Sequence, residues 1–340
     1  MITLQSRVRA NLHEQSQSKS TVTPVFKRKQ SAPASIDEMI SLVFGEVTPE
    51  QNHVLHHLAN QAIKSGKDPL RSLILHTDQQ ILPSRIVARF GPQDIAWHEI
   101  NGLQIAVDTA EGSVSPQVAA GYEPHVSRVL HQLLQPGDTF IDVGANIGVH
   151  VTDAARIVGP HGQVVAVEPN TENCRLLLLS AEKNNLHNIT LIPSALSDSG
   201  EWAWFSTHIG SNGGLMASEN ATIANGFGFI VPVRRLDDVA PRKTKLIKVD
   251  VEGAEISVLR SGLETLHRDR PSIIMEFSCE MVQRVSGIEP REALLWIENL
   301  GYEISVIQKS DGEISSTTAE QLINNWGALA RIEDLLLSPR

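Results

Sequence analysis

The chain has 340 residues, is 41% hydrophobic and carries a formal net charge of −10. That length supports one large core with an appendage, and the negative charge argues against a nucleic-acid partner. Only two cysteines occur, Cys174 and Cys279, far apart and in no metal-ligand spacing, which fits a reducing, cytoplasmic compartment. No secretory signal is expected, because the first thirty residues lack an apolar run. No stretch approaches the roughly eighteen apolar residues of a transmembrane segment.

In chain order, residues 1–35 are rich in Ser, Gln, Lys and Thr, with six basic residues against Glu14, and read as a disordered basic tail. Residues 36–80 read as a helical module. Thr48-Pro49 gives an N-cap with proline at N1, and Val54, Leu55, Leu58 and Ala62 follow helical spacing. His53, His56 and His57 share that helix without a further ligand to complete a metal site, and read as a solvated or packed face. Residues 81–120 hold short alternating strands, Arg85–Phe90, Asp94–Trp97 and Leu103–Val107, and read as a small antiparallel β extension. Glu123-Pro124 opens a helix that Gln135-Pro136-Gly137 stops.

Over residues 121–340 strands and helices alternate, which predicts a doubly wound, Rossmann-like α/β domain. Strands are expected near 139–143, 163–167, 189–192, 245–250, 272–276, 302–307 and 328–336. Helices are expected near 148–157, 171–184, 254–268 and 290–300. Residues 201–235 interrupt this rhythm with extra strands and a glycine-rich loop, where specificity commonly resides.

The chemistry concentrates at strand ends, where open α/β sheets bind ligands. Thr139–Gly148 is a buried strand that ends in Asp142 and runs into a turn containing Gly144, Asn146 and Gly148. The next strand ends in Glu168, placed to accept both hydroxyls of a ribose. The glycines suit close approach of backbone to ligand. Asn146 and Val149 replace the second and third glycines of the dinucleotide fingerprint, and no phosphate-binding loop occurs. A cofactor with adenosine but no phosphate fits better, and S-adenosylmethionine is one. Ser194 and Ala195 follow the third strand as small residues beside an adenine.

A third acidic end lies in Leu246–Glu255. Asp250 or Glu252 there can take the proton of a hydroxyl nucleophile or orient it, and a helix cap with a salt bridge is the other reading. Glu255 is expected on the following helix, paired with a basic side chain. Glu276 is a charge on an apolar strand and needs a partner or a substrate. In the insertion, His208 is an alternative base and Asn212 a polar group toward an acceptor. No metal is assigned.

The run from Tyr122 to Phe277 resembles the FkbM-type methyltransferases. The matching motifs are Asp142-Val-Gly144-Ala-Asn146-Ile-Gly148, Val167-Glu168-Pro169-Asn170, Ala195-Leu196-Ser197-Asp198, Leu236-Asp237-Asp238 and Ile247-Lys248-Val-Asp250-Val-Glu252-Gly253-Ala-Glu255. The resemblance implies a seven-stranded sheet with a last antiparallel strand inserted, S-adenosylmethionine as methyl donor, and transfer to oxygen of a sugar or other polar small molecule. It implies cofactor contacts at Gly144, Asn146, Gly148 and Glu168, and places Tyr122-Glu123-Pro124 in a segment that lids the cofactor. Two other readings compete: a nicotinamide-dependent oxidoreductase, which the missing glycines disfavour, and a non-catalytic cofactor-binding scaffold for glycan assembly, which the strand-end acids disfavour.

Overall fold

The computed structural model describes residues 95–109, 114–206, 214–216, 228–326 and 332–340, together with 35–37, 56, 59–60 and 63–64. Contacts divide the chain into two units, Met1–Arg85 and Ile86–Arg340. Within the first, the described residues are helical apart from Ser35, and His56 Nε2 lies 2.7 Å from Asp37 Oδ1. His53, His57, the expected strand at 85–90 and the tail up to residue 34 lie outside the described residues.

The second unit opens with an antiparallel hairpin, β1 (Ile95–Ile100) and β2 (Leu103–Asp108), turned at Asn101-Gly102, both left-handed. Helices α1 (Val114–Ala119) and α2 (Pro124–Leu133) follow, the latter with proline in its first turn. Then come β3 (Thr139–Val143), α3 (Val149–Val158), β4 (Gln163–Val167), α4 (Thr171–Lys183) and β5 (Ile189–Ile192). Asn170 caps α4 by accepting from Glu172 N.

The insertion forms a separate four-stranded sheet from β6 (Ala195–Leu196), β7 (Trp202–Ser206), β8 (Gly214–Met216) and β9 (Gly228–Arg234). The chain returns through α5 (Leu236–Val239), β10 (Thr244–Val249), α6 (Glu255–Arg260), α7 (Leu263–Asp269) and β11 (Ser272–Ser278). The single helix expected over 254–268 is broken at Ser261-Gly262. A side chain at Gly262 would come within 2.4 Å of Leu236, so the break lets two short helices close over α5. After a helical turn at Cys279–Met281 the chain ends in α8 (Pro290–Asn299), β12 (Tyr302–Ile307), β13 (Ile314–Thr317), α9 (Ala319–Trp326) and β14 (Ile332–Pro339).

The main sheet runs β13-β12-β14-β11-β10-β3-β4-β5. The five strands from β11 to β5 are parallel, and β14 lies antiparallel between β11 and β12. The sheet has eight strands rather than seven. The extra one, β13, is a short edge strand, Ile-Ser-Ser-Thr, whose side chains are largely exposed, so it carries no apolar alternation to betray it.

Both faces of the sheet are covered. Ile141, Val143, Ile247, Val249, Met275 and Phe277 point into the core beneath α6 and α8. Phe140, Leu246, Ile274 and Leu336 point into the other, beneath α2 and α3. On this second face, one step further along each strand, the apolar row gives way to charge: Asp142, Lys248, Glu276 and Asp334. That row, at the carboxyl ends of the parallel strands, is where the site forms.

Candidate cofactor and acceptor site

Two cavities meet at the turn after β3, and Gly144 and Asn146 line both. The larger is a cleft with an open volume of about 560 Å³. Its walls are the ends of β3 and β4 with Glu168 and Pro169, then Ser194–Leu196, Phe205 from β7, and Asp250–Glu252 after β10. The smaller, about 210 Å³, is lined by Tyr122, Asp142, His150 and Lys248 beside the turn.

The turn is built from left-handed residues: Gly144 at φ 84°, Asn146 at 49° and Gly148 at 87°. Its glycines serve contacts inside the protein. A Cβ on Gly144 would stand 1.9 Å from the Asp250 carbonyl oxygen, and one on Gly148 would meet the Leu177 side chain at 2.5 Å. The Gly144 turn and the Asp250 turn therefore touch backbone to side-chain-free backbone. Gly148 lies outside both cavity linings, as the N-cap of α3.

Glu168 is buried. Its Oε2 accepts from Asn146 N at 2.8 Å and its Oε1 from Asn170 N at 2.7 Å. Burial pushes its carboxyl up to about 7, against the pull of those amides. Ser194 Oγ, also buried in the cleft wall, has no hydrogen-bond partner among the described residues. The cleft thus presents a buried carboxylate and a hydroxyl without a hydrogen-bond partner among the described residues.

At the opposite wall, Lys248 Nζ lies 2.8 Å from Asp250 Oδ2. Burial draws the lysine pKa down, but Asp250, Asp142 and Glu123 outweigh it and hold it well above its ordinary value. Lys248 is thus a permanent cation. Glu252 sits in a left-handed turn at φ 54°, and burial and Asp250 raise its pKa. Glu276 is pushed up to about 9 by burial, then by Asp250, Asp334 and Glu252. It stands opposite Asp334 across β11 and β14, and Asp334 Oδ2 is 2.9 Å from His125 Nε2.

Glu255 differs from expectation. Among the described residues it has no basic partner: it is buried, and its Oε1 accepts from the amides of Gly253 at 2.9 Å and Val251 at 3.3 Å. The carboxylate at the start of α6 reaches back to satisfy amides of the turn that leads into the helix. Glu123 lines neither cavity; its Oε2 reaches His150 Nε2 at 2.8 Å. Despite burial, that bond and the field of Lys248 bring its pKa down to about 2.

Of the sequence-predicted residues, the cleft brings together Gly144, Asn146, Glu168, Ser194, Ala195, Asp250 and Glu252. Asp142 lines the smaller chamber. His208 and Asn212 lie outside the described residues. Sequence reasoning missed Lys248 and His150. Lys248 had a signal, being a charge within an apolar strand like Glu276. His150 had none, since it occupies an ordinary position in the first turn of α3. Among the described residues no group of three or more His, Cys, Asp or Glu could hold a metal, and no helix is long and apolar enough to cross a membrane.

No curated protein matches the chain by sequence. Solved structures similar to it include methyltransferase FkbM from Methylobacillus flagellatus KT, at 14% identity and TM-score 0.35, covering 66% of this chain and 52% of that one. They include TYW2 from M. jannaschii in complex with AdoMet, at 14% identity and TM-score 0.39, covering 75% and 90%. They also include a SAM-dependent O-methyltransferase from Thermotoga maritima, at 14% identity and TM-score 0.36, covering 64% and 65%. The chain spans about half the length of the Methylobacillus flagellatus protein. Residues 142–304, from the acid that ends β3 into β12, match the family model of the methyltransferase FkbM domain.

Proposed function

We propose that the protein transfers a methyl group to a hydroxyl of a sugar, a glycan or another polar small molecule, in the cytoplasm. The observation that carries this reading is the juxtaposition, in one cleft, of Glu168 with Asp250 and Glu252. Glu168 and Ser194 would hold the nucleoside, and the acids after β10 face the remaining space. When bound, the cofactor supplies an electrophilic methyl on a sulfonium. The protein's task is then to align the hydroxyl and take its proton.

Asp250 suits that task. One of its oxygens is held by Lys248, which fixes the carboxylate, and Asp250 lines the cleft. Glu276 lines neither cavity, and its pKa near 9 keeps it protonated at neutral pH, so it does not serve as the base. The acidic lining favours a neutral polyol over an anionic acceptor. Cys174 and Cys279 are free thiols, in keeping with a reducing compartment.

The test is to incubate the protein with S-adenosylmethionine and a panel of sugars, glycans and polar hydroxyl compounds, and to measure S-adenosylhomocysteine release. An acceptor-dependent release that Asp250→Asn abolishes supports the reading. Release of equal size from the wild type and the variant, with the methyl found on nitrogen or carbon, would overturn it.

A further inference from the structure

We propose that Glu255 is a positioning residue for the acceptor side of the cleft: from behind the turn after β10 it holds Glu252 in the backbone conformation that sets it in the cleft wall. The proposal rests on the reading of Asp250 and Glu252 as the acids that face the acceptor. It names the side chain on which their arrangement depends.

Glu252 is a backbone outlier. It lines the cleft and sits at φ 54°, in the left-handed region that non-glycine residues seldom adopt. Such a conformation persists only where the surroundings over-determine it. The surroundings here are specific. Glu255 Oε1 accepts from the amide on each side of Glu252, Val251 N at 3.3 Å and Gly253 N at 2.9 Å. A turn with a left-handed residue that converges its amides on one point is a concavity for an anion. The anion in this one is the chain's own carboxylate.

These bonds do not belong to the helix. The α6 helix begins at Glu255 with Ala254 as its N-cap, and Ala254 makes no side-chain cap bond. The two amides lie before it, so the side chain reaches backward into the turn. Glu255 is buried, and its Oε2 has no hydrogen-bond partner among the described residues. The hydrogen bonding of the side chain thus runs through Oε1. Burial pushes the carboxyl up to about 7 against the pull of the amides, so a neutral group of the same shape is a fair replacement.

The rest of the turn is fixed at its two ends. Asp250 N donates to Val143 O at 3.0 Å, which ties the start to β3. At the other end Gly253 is left-handed at φ 103°, and Ser286 Oγ donates to its carbonyl at 2.6 Å. A Cβ on Gly253 would stand 2.4 Å from the Met281 carbonyl oxygen. Between these anchors Glu252 meets the insertion: a Cβ on Gly214, which also lines the cleft, would lie 3.2 Å from that of Glu252. Glu255 therefore sets the residue at which the β10 turn and the inserted sheet meet over the cleft.

Three variants of the full chain test this. Glu255→Gln keeps the accepting oxygen and its reach. Glu255→Asp keeps the charge but withdraws the oxygen by one methylene. Glu255→Ala removes it. Crystal structures read φ at Glu252, calorimetry reads S-adenosylhomocysteine affinity, and turnover is measured at saturating S-adenosylmethionine with a hydroxyl compound that the wild type methylates. Glu255→Ala and Glu255→Asp are expected to release Glu252 from the left-handed region and to lower kcat about tenfold or more, the effect of a misplaced group beside the reacting atoms. Glu255→Gln is expected to keep both the conformation and most of the turnover. All three are expected to bind S-adenosylhomocysteine within about threefold of wild type, because Glu168 and Ser194 are untouched. Should Glu255→Ala not fold, the contrast between Gln and Asp still decides. Wild-type turnover in Glu255→Asp, a left-handed Glu252 in Glu255→Ala, or a loss in Glu255→Gln as large as in Glu255→Asp would overturn the proposal. If the wild type methylates no hydroxyl compound, the acceptor reading falls, and φ at Glu252 in the variants still decides whether Glu255 holds the turn.

Discussion

Lys248 Nζ sits 2.8 Å from Asp250 Oδ2, in a strand where the apolar Leu246, Ile247 and Val249 surround it. Asp142 lies beside Lys248 in register on β3. One buried cation thus serves acids on two adjacent strand ends, one lining each cavity. Removing a lysine from such a setting does more than delete a hydrogen bond. It leaves buried carboxylates without a counter-charge.

Lys248→Met keeps the length and the apolar stem of the side chain but not its charge. The expected loss is roughly 3–5 kcal/mol in unfolding free energy, the usual scale for orphaning one member of a buried pair. The deficit should shrink in acid, where Asp142, whose pKa burial raises, protonates. Denaturant titrations at several pH values check this. A loss below about 1 kcal/mol at neutral pH would mean the acids find compensation elsewhere.

Glu168 gives the site a pH dependence with a definite sign. Its carboxyl is pushed up to about 7 by burial, so below that pH it is mostly protonated in the free protein. Ribose hydroxyls donate to the ionised form and stabilise it. Binding therefore releases a proton below pH 7, and S-adenosylhomocysteine affinity should rise with pH up to about 7 and level off above. The slope is at most tenfold per pH unit. Calorimetry in buffers of different ionisation enthalpy reads the proton directly. Glu168→Ala should bind weakly and without that slope; a slope that survives in the variant would assign the proton to another group.

How far this could be read from sequence varies along the chain. The parallel strands were legible because burial on both faces makes them nearly continuous apolar runs, as in Gln163-Val-Val-Ala-Val. Glu168 and Asp250 were legible because an acid that ends such a run has few structural uses. The turn glycines were seen, but their cause was not: that Gly144 faces a carbonyl a hundred residues on is a tertiary fact. Edge strand β13 and the break at Gly262 were missed for opposite reasons. The first has too little apolar pattern, and the second interrupts a pattern that stays helical across it. Glu255 looked like a surface ion-pair residue because sequence does not reveal that its amide partners lie two and four residues behind it.

Glu276 carries a second pH signature. Burial and three acidic neighbours raise it from 4.5 to about 9. A carboxyl whose folded pKa is raised contributes stability below its unfolded value and loses it as pH climbs to the folded one. Wild type should therefore lose stability against Glu276→Gln steadily from about pH 4.5 to 9, by no more than about 1.4 kcal/mol per unit, and run parallel to it above. Two unfolding series across that range test it. Parallel curves throughout would show that Glu276 is ionised in the folded protein.

Gly144→Ala tests whether the two turns that frame the cleft are truly in contact. The new Cβ would stand 1.9 Å from the Asp250 carbonyl oxygen, with Val251 Cγ1 at 3.3 Å. No rotamer relieves this, since the clash is with backbone. The residue also sits at φ 84°, where an alanine is strained even in open space. Either the Asp250 turn moves away, or the β3 turn does. Both widen the cleft and separate Glu168 from Asp250. The expected result is a loss of roughly 2 kcal/mol or more in stability together with a fall in S-adenosylhomocysteine affinity. Gly287→Ala is the control: it is also left-handed, at φ 65° and ψ 18°, but nothing lies within 4 Å of its Cβ. It should cost about 1 kcal/mol of backbone strain and leave binding alone. Equal behaviour of the two variants would show that the contact between turns contributes nothing beyond glycine's conformational freedom.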